Sequence, residues 1–309
     1  MAYQKKILIN TSSFNINNFF FFRKKFNLKK YKIFFNKKNK TDYDLIKSFR
    51  KHQPEYIVAG LENLNEKTLS TIKHKLLAIS RVGIGIDNID LNYIKKNKIK
   101  LFVTNNKIKF SVSEHTIFFI LYLIKKMKFN IKKYKKTENN VQGSLLRDKT
   151  VGIIGLGNIG KQVANDLSKL GCKILFYDPF VDVYKSYKKI LTIKNLFNQC
   201  DIITIHASYD KRHHNIIDKN VLNSAKKNQI LINTSRGGFI NEDHLFSHLR
   251  KNKLYSVATD VFKKEPYKGK LLKLNNLVST NHIASNSKET RDAMEKDSIE
   301  AILKYDKKK

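Results

Sequence analysis

Three glycines near the middle of the 309-residue chain have the spacing of a dinucleotide-binding turn. Gly155, Gly157 and Gly160 read G-L-G-N-I-G; they follow an apolar run ending at Ile154 and open a stretch with helical apolar spacing. The first glycine permits a tight turn, the second lets a pyrophosphate approach the backbone, and the third lets the helix pack closely on a sheet. The alternative is a glycine turn in another α/β protein, but the order of strand, turn, helix and strand favours a cofactor site.

An acidic residue completes this pattern. The next apolar run ends at Asp178, whose carboxylate can accept hydrogen bonds from a ribose 2′-hydroxyl. The same charge repels a 2′-phosphate, and Pro179 and Phe180 supply no compensating arginine. We therefore expect NAD rather than NADP, held by Asp178 and by the turn, in which Asn158 and Ile159 lie between the last two glycines.

Three later strand ends carry residues suited to proton transfer and carboxylate binding. Arg236 follows an apolar run and stands beside two glycines, Glu265 precedes a proline, and His282 follows the last predicted strand. Ligands of open parallel sheets bind outside the carboxyl ends of the strands. There a guanidinium can hold a carboxylate and an adjacent carbonyl, a histidine can exchange a proton, and a glutamate can orient that histidine. Taken singly, Glu265 would be an acid in an ordinary loop and His282 a surface or core histidine. Together, the three residues predict hydride transfer at a carbon that bears oxygen beside a carboxylate.

The strong positive charge at first suggests nucleic-acid binding. Lys and Arg number 61 against 26 acidic residues, a net charge of +35. Only 8 of the basic residues are Arg, the lysines are spread along the chain, and no zinc-finger spacing or RNA-binding aromatic motif occurs. We interpret the charge as solvated surface and expect no specific nucleic-acid partner.

Cysteine and apolar patterns indicate the compartment. Cys172 and Cys200 are far apart and lack metal-ligand spacing, so we expect free thiols and no metal site. The N-terminal apolar run stops at Asn10, and the longest apolar run, 117–124, is too short to span a bilayer. These patterns predict a cytoplasmic protein that does not enter a membrane.

Alternating strands and helices position these residues and predict an α/β fold with parallel sheets. The predicted strands are 6–9, 31–35, 56–59, 77–79, 100–103, 151–154, 173–177, 202–206, 229–233, 255–260 and 277–280. The predicted helices are 42–49, 65–75, 91–97, a long helix 111–134 capped by Ser111 or Ser113, and 158–170, 193–198, 220–225, 241–251 and 287–305. The rest of 15–39 is left unassigned.

Six motifs together resemble one family. They are RVGIGIDNID at 81–90, SVSEH at 111–115, TVGIIGLGNIG at 150–160, NTSRGG at 233–238, ATDVFKKEP at 258–266 and NHIAS at 281–285. In this order they resemble the D-isomer-specific 2-hydroxyacid dehydrogenases, and within that family most closely the phosphoglycerate dehydrogenases. The resemblance spans about residues 55–295.

The resemblance implies two Rossmann-like, doubly wound parallel-sheet domains with a cleft between them. Residues 1–105 and 287–309 would form the substrate domain, and residues 106–286 the NAD-binding domain. It also implies a homodimer formed through the NAD-binding domain, with the helix 111–134 at the contact.

The resemblance further assigns roles to residues. Arg236 would orient the substrate, His282 would be the acid/base and Glu265 its partner. Asp260 would contact the nicotinamide amide. The remaining implied contacts are His206 and Thr234 at the cofactor, and the backbone of Val82, Gly83 and Ile84 at the substrate carboxylate. From the residues alone, the glycine pair near Gly83 would be read as an ordinary tight turn.

The substrate is predicted from Arg81, which stands where phosphoglycerate dehydrogenases place a basic residue for the phosphate. We expect oxidation of 3-phosphoglycerate to 3-phosphohydroxypyruvate, a step of serine biosynthesis. The lack of a further arginine near Ala59 leaves glyoxylate, hydroxypyruvate or another 2-keto acid as alternatives, whereas Asn281 in place of the usual proline is expected to be tolerated. An NAD-sensing scaffold, like the corepressor branch of the family, is the alternative of another class.

Overall fold

The computed structural model describes residues 4–11, 14–36, 41–104, 107–130, 141–251 and 256–308. The chain divides into two compact units. Unit 1 comprises Met1–Ile108 and Ser287–Lys309, and unit 2 comprises Lys109–Asn286. The sequence suggested divisions after residues 105 and 286.

Unit 1 is built on a five-stranded parallel sheet. Its strands, in the spatial order β2-β1-β3-β4-β5, are β1 (Lys5–Ile9), β2 (Tyr31–Phe35), β3 (Tyr56–Ala59), β4 (Ala78–Arg81) and β5 (Lys100–Val103). The helices of its N-terminal segment are α1 (Asn17–Phe20), α2 (Asp42–His52), α3 (Glu66–Leu69) and α4 (Leu91–Lys96), and the C-terminal helix, Lys288–Lys307, completes the unit. Strands β3 and β4 are buried along their whole length because the sheet is covered on both faces.

The C-terminal helix is tied to this sheet by one carboxylate. Asp306 accepts hydrogen bonds from the hydroxyl groups of Tyr31, at 2.6 Å, and Tyr56, and it pairs with Lys5. Burial opposes ionisation of Asp306, but these three partners outweigh it and hold the pKa of the carboxyl below its ordinary value. The sheet and the helix that closes the chain are therefore joined electrostatically as well as by apolar packing.

Unit 2 is built on a seven-stranded parallel sheet. Its strands, in the spatial order β12-β11-β10-β9-β6-β7-β8, are β6 (Thr150–Ile154), β7 (Lys173–Tyr177), β8 (Lys188–Lys189), β9 (Ile202–Ile205), β10 (Ile230–Asn233), β11 (Ser256–Thr259) and β12 (Leu277–Ser279). The chain runs outward from β6 to β8 and then returns to β9 on the other side of β6. The strand order thus reverses between β6 and β9, where open α/β sheets bind their ligands.

Helices cover both faces of this sheet. They are α5 (Ile108–Ile124), which begins at the unit boundary, α6 (Met127–Asn130), α7 (Asn158–Lys169), α8 (Ile193–Gln199), α9 (Lys219–Asn223) and α10 (Glu242–Arg250). Neighbouring strand residues point to opposite faces, so Ile202 packs in one apolar core with Val163, and Ile203 packs in the other with Leu196 and Leu245. These two sheets confirm the predicted α/β class with parallel, doubly wound strands.

Several predicted boundaries are wrong for local reasons. The long helix ends at Ile124, whose carbonyl accepts the Ser144 N–H, and Lys126 then adopts a left-handed φ of 53°. Residues 131–134 of the predicted helix lie outside the described part. Ser111 and Ser113 lie inside the helix and cap nothing at its start; their hydroxyl groups donate to the Ala284 carbonyl and to the Asp166 carboxylate.

Candidate active site

The glycine turn lies between β6 and α7, and each glycine has a different surrounding. A Cβ on Gly155, whose φ is +88°, would lie 2.4 Å from the backbone of Ala207, and a Cβ on Gly160 would lie 2.0 Å from the Gly155 carbonyl oxygen. A Cβ on Gly157 would meet nothing within 4 Å. The first and third glycines are therefore required by packing, whereas the second borders open space.

That open space fits a pyrophosphate. Helix α7 begins directly after Gly157, and no side chain caps its first turn. The N–H groups and the positive dipole end of the helix therefore face a region that a phosphate group can enter. The residues present fit the dinucleotide that the fingerprint predicts, with Asn158 and Ile159 in the first turn of the helix.

Asp178 lies at the end of β7, next to the glycine turn. One carboxylate oxygen accepts the Leu156 N–H at 2.7 Å, and the other accepts the Phe180 N–H at 2.8 Å. These bonds fix the carboxylate at the strand end, and each oxygen keeps a further lone pair for a ribose hydroxyl.

His206 and Thr234 follow β9 and β10 at the same edge of the sheet. Burial lowers the pKa of His206 to about 3, so the ring is neutral, and its Nε2 lies 2.8 Å from the Thr204 hydroxyl. Its Nδ1 has no hydrogen-bond partner among the described residues. Thr234 bonds Thr116 of α5 at 3.2 Å. Both residues are thus at the predicted edge, and His206 offers a buried polar atom there.

Arg236, Glu265 and His282 also lie at this edge. Nδ1 of His282 is 2.9 Å from Oε2 of Glu265. Burial raises the pKa of Glu265, but the hydrogen bonds from His282 and from the Phe262 N–H and the charges of His282 and Arg236 outweigh it, so this pKa lies below its ordinary value. Arg236 also donates to the Ser235 carbonyl at 2.9 Å. The structure therefore brings an ionised carboxylate, a histidine and a guanidinium into one electrostatic neighbourhood.

The backbone of His282 has a left-handed φ of 55°, which is uncommon for a residue with a side chain. Its N–H donates to the Asp260 carbonyl at 2.9 Å. The Asp260 carboxylate, which is 1% exposed, accepts the N–H groups of Ile283 and Ala284, both at 2.8 Å, and the Thr280 hydroxyl. Asp260, predicted at the nicotinamide, thus has its carboxylate directed at the turn that presents His282.

The backbone groups predicted to contact the substrate in unit 1 differ in whether their N–H groups have partners. The N–H of Val82 donates to the Ala59 carbonyl and that of Gly83 to the Thr104 hydroxyl, each at 2.9 Å. Both groups therefore have partners within unit 1. Ile84 and Gly85 are the next backbone donors, and neither N–H has a partner in the described part of the chain.

Arg81 is almost wholly buried, at 4% exposure. Its Nε donates to the Gly85 carbonyl at 3.0 Å, and Nη1 donates to the Val82 carbonyl. Burial raises the pKa of the Glu62 carboxyl, and the charge of Arg81 acts in the opposite direction. The guanidinium is thus used to hold the loop 82–85, which the position before the glycine turn alone did not indicate.

Sequence reasoning did not single out three neighbours of the predicted site residues: Gly85, Thr280, which donates to Asp260, and His115, whose Nε2 lies 3.1 Å from the Thr280 hydroxyl. The repeated glycine of the G-I-G motif drew attention to Gly85, but a sequence cannot tell which backbone N–H groups form hydrogen bonds in the folded protein. His115 lies within the SVSEH motif and Thr280 lies two residues before His282, but the sequence predicted a partner for neither.

Among the described residues, no cluster of three or more candidate metal ligands occurs and no helix is long and apolar enough to cross a membrane.

Comparison with known proteins agrees with this geometry. Residues 117–284 match the family described as D-isomer specific 2-hydroxyacid dehydrogenase, NAD binding domain. The chain is 32% identical to hydroxypyruvate reductase of Thermotoga maritima over 81% of this chain and 85% of that protein. It is 31% identical to D-3-phosphoglycerate dehydrogenase of Archaeoglobus fulgidus over 80% of this chain, but spans only 48% of that protein.

A solved structure shares the whole fold. NAD⁺-bound 3-phosphoglycerate dehydrogenase of Entamoeba histolytica superposes with a TM-score of 0.84 over 98% of this chain and 96% of that one, at 23% identity. The match of the family profile to more than half of the chain and the identity to hydroxypyruvate reductase both lead to one assignment. The chain belongs to the D-isomer-specific 2-hydroxyacid dehydrogenases, a family of NAD-dependent oxidoreductases, and residues 117–284 are its NAD-binding domain.

Proposed function

We propose that this chain transfers a hydride between NAD and C2 of a small D-2-hydroxy or 2-keto acid, with His282 as the acid/base. The observation that carries the proposal is the 2.9 Å contact between Nδ1 of His282 and Glu265, at the strand edge that also bears the glycine turn. When bound, the nicotinamide would accept or supply the hydride. The chain's own residues would bind the acid and move the proton.

The Glu265 contact supports one proton path. A carboxylate only accepts hydrogen bonds, so Nδ1 of His282 carries a proton and Nε2 is left to exchange one with the substrate oxygen. In oxidation, Nε2 takes the hydroxyl proton; in reduction, the protonated ring returns it to the carbonyl oxygen. Because the pKa of Glu265 lies below its ordinary value, the residue stays ionised and stabilises the charged ring formed during oxidation.

Two groups are proposed to hold the substrate. Arg236 would orient its carboxylate and carbonyl through the paired N–H groups of the guanidinium. In unit 1, we assign the carboxylate contact to the N–H groups of Ile84 and Gly85 in place of Val82 and Gly83, because the latter are bonded internally.

We retain 3-phosphoglycerate as the first candidate substrate, which would place the chain in serine biosynthesis. It is supported by the order of the motifs and by similarity to phosphoglycerate dehydrogenases. Hydroxypyruvate or glyoxylate is the second candidate. It is favoured by the buried guanidinium of Arg81, which is bonded to loop carbonyls, and by the similarity to hydroxypyruvate reductase.

A substrate panel tests both parts of the proposal. Purified protein is assayed by NADH absorbance with 3-phosphohydroxypyruvate, hydroxypyruvate and glyoxylate, and in reverse with the D-hydroxy acids. We expect turnover that falls roughly 10²–10⁴-fold in His282→Ala. Turnover of the phosphorylated pair alone would support the first substrate, and turnover of only the small acids the second. NADH binding without turnover of any acid would refute the enzyme and favour the NAD-sensing scaffold.

We also propose a cytoplasmic homodimer. Phe118 and Leu121 on α5 are 51% and 39% exposed, as expected of a face that a second copy covers. Both cysteines are buried and unpaired, in keeping with a reducing compartment. Light scattering of the purified protein would distinguish a dimer from a monomer.

A further inference from the structure

His115 is a largely buried histidine on α5 that the proposed chemistry does not use. Its side chain is 14% exposed, and its Nε2 lies 3.1 Å from the Thr280 hydroxyl oxygen and 3.8 Å from the Asp260 carboxylate. The ring meets Phe119 edge to face at 4.5 Å between ring centres. The imidazole is thus held with one nitrogen directed at the turn that carries His282.

The number of protons available fixes the direction in which these hydrogen bonds run. The Thr280 hydroxyl has one proton, and it gives that proton to the Asp260 carboxylate, which can only accept. The Thr280 oxygen must then accept from His115, so Nε2 of His115 bears a hydrogen. The chain therefore runs from His115 through Thr280 to Asp260.

This series of hydrogen bonds ends at the backbone of His282 and of the two residues that follow it. Asp260 accepts the N–H groups of Ile283 and Ala284 through its carboxylate and that of His282 through its carbonyl. A left-handed residue with a side chain persists only where its surroundings hold it. The hydrogen bonds around Asp260 provide such a restraint, and His115 sets the orientation of their outermost member.

We propose that His115 is a positioning residue, which acts through Thr280 and Asp260 to hold the 280–284 turn and so place His282 against its substrate. The proposal rests on the proposed role of His282. The alternative is that His115 only fills space beside Phe119. The two readings differ in what a substitution should change, because a space-filling residue affects stability, whereas a positioning residue affects turnover.

The test compares matched substitutions in the full chain. His115→Leu keeps the volume and removes the donor, whereas His115→Gln can restore an N–H near the place of Nε2. Thr280→Val and Thr280→Ser form the same pair one bond further along. His248, a buried histidine on α10 bonded to the His244 carbonyl and to Asn223, supplies the control His248→Leu. For each variant, kcat at saturating substrate, the Kd for NADH and the melting temperature are measured.

We expect kcat to fall about 10- to 100-fold in His115→Leu and in Thr280→Val, because misplacement by about 1 Å has effects of this size. The Kd for NADH should change less than about 3-fold, and His115→Gln and Thr280→Ser should stay within about 3-fold of wild-type kcat. The double variant His115→Leu/Thr280→Val should be no slower than the slower single variant, because both act through one chain. His248→Leu should have a lower melting temperature than the wild type and an unchanged kcat.

Two results would overturn the proposal. One is wild-type kcat in His115→Leu; the other is a loss of kcat that the glutamine variant does not restore and that His248→Leu shares. Should His115→Leu not fold, Thr280→Val, which removes only a hydroxyl, carries the same expectation. If the wild type turns over no acid, the proposed function fails, yet ¹⁵N NMR of His115 still tests the chain: a protonated Nε2 supports it, and a ring protonated only on Nδ1 contradicts it.

Discussion

Gly157→Ala separates cofactor binding from folding. A Cβ at this position would meet nothing within 4 Å, and the backbone angles, φ −73° and ψ −164°, suit any residue. Alanine is less favourable than glycine before a helix by up to about 1 kcal/mol, but it restricts the unfolded chain and so stabilises by about 0.4–1 kcal/mol. These opposing effects nearly cancel, so the melting temperature should move by no more than about 2–4 °C.

Cofactor affinity should respond very differently. The open space above Gly157 is where a pyrophosphate would approach the backbone, and a methyl group there would hold the phosphates away from the N–H groups of α7. We expect the Kd for NADH to rise about 10- to 100-fold, a loss of about 1.4–2.7 kcal/mol. Gly160→Ala, by contrast, should fold poorly, because its Cβ would lie 2.0 Å from the Gly155 carbonyl oxygen.

The assay is NADH fluorescence titration together with thermal melting of the same samples. Gly157→Ser is the matched control, because serine caps a helix well and should not destabilise the protein, yet it adds the same obstruction. Both variants should melt near the wild type and bind NADH weakly. If Gly157→Ala binds NADH within about 3-fold of the wild type, the pyrophosphate does not approach this backbone and the assignment of the glycine turn is wrong.

Three further substitutions test other parts of the account. Glu265→Gln removes the carboxylate that stabilises the charged His282 ring and should lower kcat about 10²-fold or more; because the pKa of Glu265 is lowered, the advantage of the wild type should be lost in acid, as the pH falls through that lowered pKa. Arg236→Lys keeps the charge but loses the planar fork and should raise KM for every acid, as steady-state kinetics would show. Asp306→Asn should destabilise unit 1 by about 1–3 kcal/mol in urea unfolding at neutral pH. Because the folded pKa of Asp306 is lowered, its contribution to stability is present above the ordinary pKa and is lost as the pH falls through the lowered one. The unfolding free energies of the wild type and of Asp306→Asn should therefore converge in acid.

The strands were the most predictable part of the fold. The run Tyr56–Ala59 has the predicted bounds, because apolar residues that both faces of a parallel sheet bury leave a clear pattern. The helix predicted at 65–75 contracts to Glu66–Leu69. There the hydroxyl groups of Ser70 and Thr71 donate to backbone carbonyls and compete with the helix, a choice that apolar spacing does not reveal.

The candidate site was predictable wherever a residue stands at a strand end. The glycine turn, Asp178 and the Glu265–His282 pair follow from topology, since the carboxyl ends of parallel strands share one edge. The choice among backbone donors was not predictable, because it depends on which N–H groups the neighbouring strand or Thr104 already occupies. Nor could the sequence show that the guanidinium of Arg81 turns towards the carbonyls of its own loop.

The most direct test of the proposed reaction is isotope transfer from NADH that carries deuterium at C4, on the face that is transferred. The enzyme is incubated with this NADH and with hydroxypyruvate, glyoxylate or 3-phosphohydroxypyruvate, and the product is analysed by mass spectrometry and chiral chromatography. The account predicts a 2-hydroxy acid one mass unit heavier, with deuterium at C2; where C2 is chiral, the product should be the D isomer, and His282→Ala should form almost none. A product without deuterium, an L product, or equal yield from His282→Ala would contradict it.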